Sequence, residues 1–140
     1  MHLEQPLQQH FGFETFRPPQ EEVIRSILDG HDTLVIMPTG KGKSLCYQLP
    51  SLLLPGITIV ISPLIALMKD QVDGLTARGI AATFINSSLG SEERHRRTRG
   101  LVNGEYALVY VAPERFTEAF MATLQTTDVR LLAVDEAHCI

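Results

Sequence analysis

TLVIMPTGKGKSL, running from Thr33 to Leu45, is the most informative segment of this 140-residue chain. Its apolar part, residues 34–37, is typical of a short strand buried in a parallel sheet, and Pro38 ends that run. The residues after Ser44 have apolar positions at helical spacing. The segment therefore predicts a strand, a tight loop and a helix in direct succession.

The loop in this segment has the composition of a phosphate-binding loop. Its glycines let backbone N–H groups turn inward to form an anion-binding concavity, and the start of the helix adds a favourable dipole. A lysine brings charge to the outer phosphates, and the serine hydroxyl can ligate magnesium. The general phosphate-loop pattern has glycine at the position of Met37, which this chain lacks. The alternative to a phosphate-binding loop is an ordinary glycine-rich turn between a strand and a helix. The predicted nucleotide-binding residues are Met37, Pro38, Thr39, Gly40, Lys41, Gly42, Lys43, Ser44 and Leu45.

Composition and charge narrow the function classes. Hydrophobic residues make up 44% of the chain and charged residues 20%, as in an ordinary globular protein. The net charge of −4 argues against nucleic-acid binding through overall positive charge, so any such contact must be local. The sequence shows no long apolar run and no secretory signal, so we expect no membrane partner and an intracellular location, cytoplasmic or nucleoid in a bacterium and nuclear otherwise. Cys46 and Cys139 lack metal-ligand spacing, which predicts neither a disulfide framework nor a zinc site.

Apolar runs alternate with helical patterns along the chain. They predict five strands, at residues 34–37, 57–61, 80–85, 107–111 and 131–134. An N-terminal amphipathic helix is indicated by Leu3, Leu7 and Phe11. This order predicts an α/β fold, a parallel sheet with helices on both faces. Ligands bind such sheets at the carboxyl ends of their strands.

Four other helical stretches carry specific expectations. Pro18 and Pro19 are expected to precede a helix, and Pro50 to kink or shorten the helix after the phosphate loop. The basic stretch 92–102 is interpreted as a solvated helix face rather than a DNA contact. The helix after residues 57–61 is expected to bury Leu64, Leu67, Met68, Val72 and Leu75.

The segment FGFETFRPPQ, from Phe11 to Gln20, allows two interpretations. One is a packed helix start with exposed polar residues, which composition alone favours. The other is an adenine pocket, because aromatic and guanidinium planes stack on a base and a glutamine amide pairs with the adenine N6/N7 edge.

Two acidic residues, Asp135 and Glu136, follow the last predicted strand directly. A carboxylate at a strand end can hold magnesium, and a second one can orient or deprotonate the attacking water. We therefore assign Asp135 to the metal and Glu136 to the water. The alternative is a pair of acids that merely ends a strand.

MPTGKGKSLCYQ (residues 37–48) and DEAHCI (residues 135–140) resemble the corresponding motifs of the RecQ DNA helicases of superfamily 2. Residues 11–20, 60–72 and 112–115 resemble three more segments of that family, so the resemblance covers nearly the whole chain. It implies a RecA-like P-loop NTPase fold. Residues 1–140 would form the ATP-binding domain, the N-terminal part of the first motor domain, ending after the DEAH motif.

The resemblance also implies residue roles. Gln20 would read the adenine edge, Arg17 would contact the base, and Phe13, which replaces the family's tyrosine, would stack on it. Lys41 stands where the family usually has glycine and adds charge near the phosphates. The residues implied in DNA contact and coupling are Ser62, Pro63, Leu64, Asn86, Ser87 and His138.

The implied function is an ATP-dependent 3′–5′ DNA helicase that acts in recombination and repair, with ATP and Mg²⁺ as cofactors and single-stranded or partly duplex DNA as partner. The family's zinc lies in a later region absent from this chain. We expect these 140 residues alone to bind ATP but hydrolyse it negligibly, because an arginine finger from a second domain is worth about 10³–10⁵ in rate. The alternative is a nucleotide- or partner-binding module without turnover. A different P-loop enzyme, a kinase or a GTPase, is disfavoured, because the guanine-reading Asn-Lys-x-Asp is missing from these residues and Gln20 suits adenine.

Overall fold

The computed structural model describes residues 2–37 and 42–137 of the chain. The chain divides into two compact units, Met1–Leu54 and Pro55–Ile140. The first unit contains α1 (Glu4–Phe11), α2 (Gln20–Leu28) and α3 (Leu45–Leu53). The second contains β1 (Ile57–Ile61), α4 (Ile65–Ala77), β2 (Ala82–Ile85), α5 (Ser91–Val102), β3 (Leu108–Val111), a 3₁₀ turn (Pro113–Arg115), α6 (Glu118–Gln125) and β4 (Val129–Val134).

Helix α1 confirms the prediction of an amphipathic N-terminal helix. Leu3, Leu7 and Phe11 recur every four residues, which places them on one side of the helix, and all three are buried. Gly12 ends the helix in the left-handed conformation, with φ +75°, and its N–H donates to the carbonyl of Gln8.

Helices α2 and α3 complete the first unit. As predicted, α2 begins directly after the two prolines, and it buries Val23 and Ile24. Pro50 lies inside α3, but the helix continues to Leu53, so the proline does not end the helix at its own position. The helix resumes its bonding immediately, since the Leu54 N–H donates to the Pro50 carbonyl.

The predicted first strand at residues 34–37 is wrong. The structure assigns no strand there, and the side chains of Leu34 and Ile36 are 86% and 90% exposed. Residues 34–36 make no backbone hydrogen bond with any described residue. An apolar run forms a strand only where a neighbouring backbone pairs with it, and the sequence pattern does not supply that neighbour. The described sheet therefore has four strands rather than five.

The sheet of the second unit is parallel throughout, with the order β2-β3-β1-β4. The central strands β1 and β3 are almost wholly buried, whereas the edge strand β4 alternates between half-buried and exposed residues. On one face, Leu101 of α5 and Phe120 of α6 pack in a core with Ile59 and Val109. On the other face, the Tyr110 hydroxyl donates to Gln71 of α4. Helices thus cover both faces, as the predicted fold class requires.

Helix α4 corrects part of the predicted core. Met68, Val72 and Leu75 are buried, but Leu64 and Leu67 are 39% and 51% exposed. The buried three follow the i, i+4, i+7 spacing of a single helix face. Leu67 lies about 100° around the helix from Met68, off that face, and Leu64 precedes the helix.

Within residues 2–37 and 42–137, no helix combines the length and apolar character that crossing a bilayer requires.

Candidate functional site

The described end of the predicted phosphate loop is a turn that leads straight into α3. Gly42 has φ +76°, a conformation that favours glycine. Lys43 and Ser44 follow, both half-buried, and the Ser44 carbonyl accepts the N–H of Gln48 at 2.9 Å. The Ser44 hydroxyl makes no capping hydrogen bond. The other loop predictions, at Pro38, Thr39, Gly40 and Lys41, lie outside the described residues.

Gln20 connects the predicted adenine segment to this loop. Its side chain is 4% exposed, and its Nε2 donates to the carbonyl of Gly42 at 3.0 Å. Its Oε1 accepts the backbone N–H of Arg17 at 2.8 Å. Both ends of the amide are thus engaged with backbone groups of the first unit.

A cavity of about 490 Å³ lies beside the start of α2, within the size range of small-molecule sites. The predicted residue Arg17 lines it, whereas Gln20 is turned inward and Phe13 is 52% exposed. Phe16 also lines the cavity, and sequence reasoning missed it, although an aromatic residue directly before Arg17 was a usable signal. The lining residues are Phe16, Arg17, Pro18, Pro19, Glu21, Glu22 and Arg25.

In the second unit, the ends of the four strands form a continuous carboxyl edge. At each step along it, the residue just after one strand donates its N–H to the last residue of the neighbouring strand. These backbone hydrogen bonds run from Asp135 to Ile61 (2.8 Å), from Ser62 to Val111 (3.2 Å) and from Ala112 to Ile85 (3.3 Å). All residues that follow the strands are consequently gathered at one edge.

The acidic pair lies at the β4 end of this edge. Asp135 and Glu136 are both half-buried, and Asp135 Oδ1 accepts the N–H of Glu136 at 3.0 Å. Glu136 has φ +53°, which is uncommon for a residue with a side chain and recurs at functional sites. The coupling residue of the prediction, His138, lies outside the described residues.

The residues assigned to magnesium carry suitable donor atoms. The Ser44 hydroxyl and the Asp135 carboxylate both offer oxygen, the ligand atom that Mg²⁺ prefers. A site that keeps several waters and takes few protein ligands matches that preference. Among the described residues, no group of three or more His, Cys, Asp or Glu side chains is placed to hold a metal ion.

The residues implied in DNA contact differ in exposure. Asn86 is 1% exposed and Ser62 4%, and the Ser62 hydroxyl accepts the N–H of Leu64 at 3.2 Å. Leu64 and Ser87 are exposed, and Pro63 is half-buried. Of the residues implied in DNA contact, Pro63, Leu64 and Ser87 therefore lie at the surface of this edge, whereas Ser62 and Asn86 are buried.

The arginines of α5 serve partly as packing groups. Arg97 donates to the carbonyl of Phe84 at 3.0 Å, and its guanidinium lies 4.6 Å from the centroid of that ring. Hydrogen bonds from Arg96 and Arg97 lower the pKa of Glu93 to about 2. The expectation of a solvated face therefore fits Arg96, which is 62% exposed, but not Arg97, which is 18% exposed.

Comparisons with known proteins agree with this architecture. A family model described as DEAD/DEAH box helicase matches residues 17–140. The chain is 52% identical to the ATP-dependent DNA helicase RecQ of Bacillus subtilis, over 100% of the chain and 24% of that protein. It is also 52% identical to the RecQ helicase of Haemophilus influenzae, over 93% of the chain and 21% of the relative. The chain thus spans about a quarter of the length of these relatives.

A solved structure supports the fold independently. The crystal structure of a hypothetical ATP-dependent RNA helicase from Sulfolobus tokodaii aligns with a TM-score of 0.76 at 21% identity, over 99% of this chain and 42% of that one. The expected resemblance to the RecQ helicases is confirmed by the 52% identities. By the extent of the family match, this chain belongs to the DEAD/DEAH box helicases.

Proposed function

We propose that this chain is the ATP-binding part of an ATP-driven DNA helicase. The observation that carries the proposal is the glycine turn at Gly42, with φ +76°, which delivers Lys43 and Ser44 to the start of α3. A lysine and a hydroxyl at a helix N-terminus suit a triphosphate. The 52% identity with proteins named ATP-dependent DNA helicase supports DNA as the polymer.

In this proposal, residues 37–45 surround the phosphates. The ammonium group of Lys43 neutralises the β- and γ-phosphate oxygens, and the α3 dipole adds to that field. Ser44 and Asp135 would hold Mg²⁺, which supplies charge neutralisation at the phosphates when it is bound. Glu136 accepts a hydrogen bond from the attacking water and takes its proton.

The adenine is proposed to bind beside the start of α2. Arg17 lines the cavity there together with Phe16, so a guanidinium plane and an aromatic ring are available for stacking. Phe13, at 52% exposure, offers a second ring. Gln20 would read the adenine edge by exchanging its hydrogen bond to Gly42 for one to the base.

The DNA is proposed to follow the carboxyl edge of the sheet, over residues 62–64 and 86–87. Translocation would run in the 3′–5′ direction, with His138 coupling the nucleotide to the DNA and with roles in recombination and repair. Unwinding of duplexes with a 3′ or a 5′ single-stranded tail tests the direction, since only the 3′-tailed substrate should be opened.

The proposal is tested by ATP hydrolysis in the complete protein, with and without single-stranded DNA. DNA should stimulate turnover, and Lys43→Ala should lower it at least about 100-fold, because the charge at the outer phosphates is lost. Lys69→Ala is a matched control, since Lys69 lies on the surface of α4 and pairs with Asp73. Turnover that is insensitive to DNA, or equal losses in the two variants, would refute the proposal.

The magnesium assignment has its own test. Ser44→Ala and Asp135→Asn should each raise the Mg²⁺ concentration that gives half-maximal ATP hydrolysis, because each removes an oxygen ligand or its charge. If neither variant changes that concentration while Lys43→Ala still abolishes turnover, the metal ligands are misassigned although the phosphate loop is not.

We further propose that the 140 residues alone bind ATP with negligible turnover, and that hydrolysis needs parts found in the remaining length of the relatives. DNA-stimulated hydrolysis by the isolated chain, abolished by Lys43→Ala, would contradict this statement.

A further inference from the structure

Asn86 is a buried polar residue directly after β2, one of the two edge strands of the sheet. Its side chain is 1% exposed, although it opens a loop whose next two residues, Ser87 and Ser88, are exposed. Its Oδ1 accepts the backbone N–H of Ser88 at 2.8 Å and also the Ser88 hydroxyl. This arrangement is an Asx turn, in which a side chain rather than a backbone carbonyl accepts the hydrogen bond that fixes the loop.

The other end of the same amide reaches a different element. Asn86 Nδ2 donates to the sulfur of Met68 at 3.4 Å, and Met68 is 1% exposed on the inner face of α4. Helix α4 begins directly after Ser62–Leu64, the other segment proposed to follow the DNA. One buried side chain therefore joins the loop after β2 to the helix after β1.

The far end of the loop is held as well. The N–H of Leu89 donates to the Asn86 carbonyl at 3.3 Å, and Arg94 of α5 donates to the Leu89 carbonyl. The loop is thus fixed at both ends, while Ser87 and Ser88 remain at the surface between them.

We propose that Asn86 is a positioning residue, which holds the Ser87–Ser88 loop in register with α4 and does not itself touch DNA. The proposal rests on the DNA-helicase function proposed above. Direct contact does not fit the geometry, because the side chain is buried and both ends of its amide are engaged. A buried amide with partners at both ends instead gives a loop one defined conformation, and this lowers the entropy lost when the loop binds.

The test uses the complete protein and measures the single-stranded DNA concentration that half-maximally stimulates ATP hydrolysis. Asn86→Ala should raise this concentration at least about 10-fold, because it removes both the Asx turn and the link to Met68. Asn86→Ser keeps an oxygen that can accept the N–H of Ser88 in the same kind of turn without burying a charge, so it should raise the concentration less than Asn86→Ala does. Asn103→Ala is the matched control, since Asn103 is exposed after α5, away from this loop, and should leave the concentration unchanged.

The buried partner of Asn86 separates positioning from contact. If Asn86 contacted DNA directly, Met68→Leu, which removes only the acceptor of its Nδ2, would leave the half-maximal DNA concentration unchanged. That result would overturn the proposal, as would an unchanged half-maximal concentration in Asn86→Ala. If Asn86→Ala fails to fold, Ser88→Ala replaces it, and a rise of at least about 3-fold is then expected from the loss of one hydrogen bond to the Asn86 oxygen.

A second readout tests the link to α4. Met68→Leu keeps the apolar volume but removes the sulfur acceptor, so it should raise the half-maximal DNA concentration while the KM for ATP at saturating DNA stays within about 2-fold. Equal changes in the two constants would mean a general loss of folded structure, which overturns the proposal. A wild-type protein whose hydrolysis does not respond to DNA would refute the proposed function itself, whereas a normal wild-type response with unaffected variants would refute this inference alone.

Discussion

Replacement of Gly42 by alanine should destabilise the first unit through two separate effects. The first is conformational, because Gly42 has φ +76°, where a residue with a Cβ atom is strained. The second is steric, because a Cβ atom at this position would lie 2.3 Å from Nε2 of Gln20. Gln20 cannot move aside freely, since it is 4% exposed and its Oε1 is held by the N–H of Arg17.

The magnitude follows from these contacts. A left-handed alanine costs about 1–2 kcal/mol relative to glycine. Moving Gln20 breaks its hydrogen bond to Gly42 and leaves a buried amide unsatisfied, which costs about 1–3 kcal/mol. Gly42→Ala should therefore lower the free energy of unfolding of the first unit by about 2–5 kcal/mol.

The assay is hydrogen exchange of the amides of α2 and α3 in wild type, Gly42→Ala, Gln20→Ala and the double variant. Exchange reports the opening free energy of the elements that contain these amides. In the Gln20→Ala background the steric conflict is absent, so Gly42→Ala should there cost only the conformational part, about 1–2 kcal/mol. The coupling between the two sites should therefore be about 1–3 kcal/mol.

Two results would refute this reasoning. An equal cost of Gly42→Ala in both backgrounds would mean that Gln20 does not restrain the loop. A cost below about 1 kcal/mol in wild type would mean that neither effect operates. Gly74→Ala is the matched control: Gly74 lies within α4, a Cβ atom there would have no neighbour within 4 Å, and helix propensity predicts a gain of up to about 1 kcal/mol.

Three further predictions concern single side chains. Burial raises the pKa of Cys46 to about 11. With Cys139 replaced by serine, the chain should therefore react with thiol reagents at pH 8 about 100-fold more slowly than free cysteine does, and an equal rate would contradict this burial. The pKa of Glu93 is lowered from 4.5 to about 2, so its ion pairs stabilise the fold above pH 4.5 and lose that effect as pH falls towards 2. The difference in melting temperature between wild type and Glu93→Gln should therefore vanish over that range, and a constant difference would contradict this prediction. Leu101 is 0% exposed, so Leu101→Ala should lower the free energy of unfolding, measured with urea, by about 2–5 kcal/mol, whereas Val102→Ala, at 41% exposure, should lower it by less than about 1 kcal/mol. Similar losses in the two variants would show that α5 does not pack as described.

Local spacing predicted much of the fold, because burial in a helix depends on a period that the sequence displays directly. In α1, the spacing of Leu3 and Leu7 correctly predicted their burial. At residues 57–61, the continuous apolar run correctly predicted a strand buried on both faces. The glycine turn before Lys43 was predictable for a similar reason, since only glycine enters that conformation without strain.

The errors arise where the outcome depends on a neighbour. The apolar run at residues 34–37 has strand composition, yet a strand exists only when another backbone pairs with it. Leu67 has the right chemistry for a core, but it lies beside the buried face of α4 rather than on it. The DNA role of Asn86 was implied by the resemblance alone and stays a prediction, whereas the contact of its side chain with Met68, eighteen positions earlier in the chain, could not be predicted from local spacing.

The backbone bonds at the carboxyl edge have a mechanical consequence. Each bond ties the first residue of one loop to the last residue of the next strand, so the four loops cannot shift independently. Asp135 and Asn86 stand at opposite ends of this row, about 14 Å apart when three strand spacings are counted. A displacement of Asp135 would therefore reach the neighbouring strands through backbone hydrogen bonds.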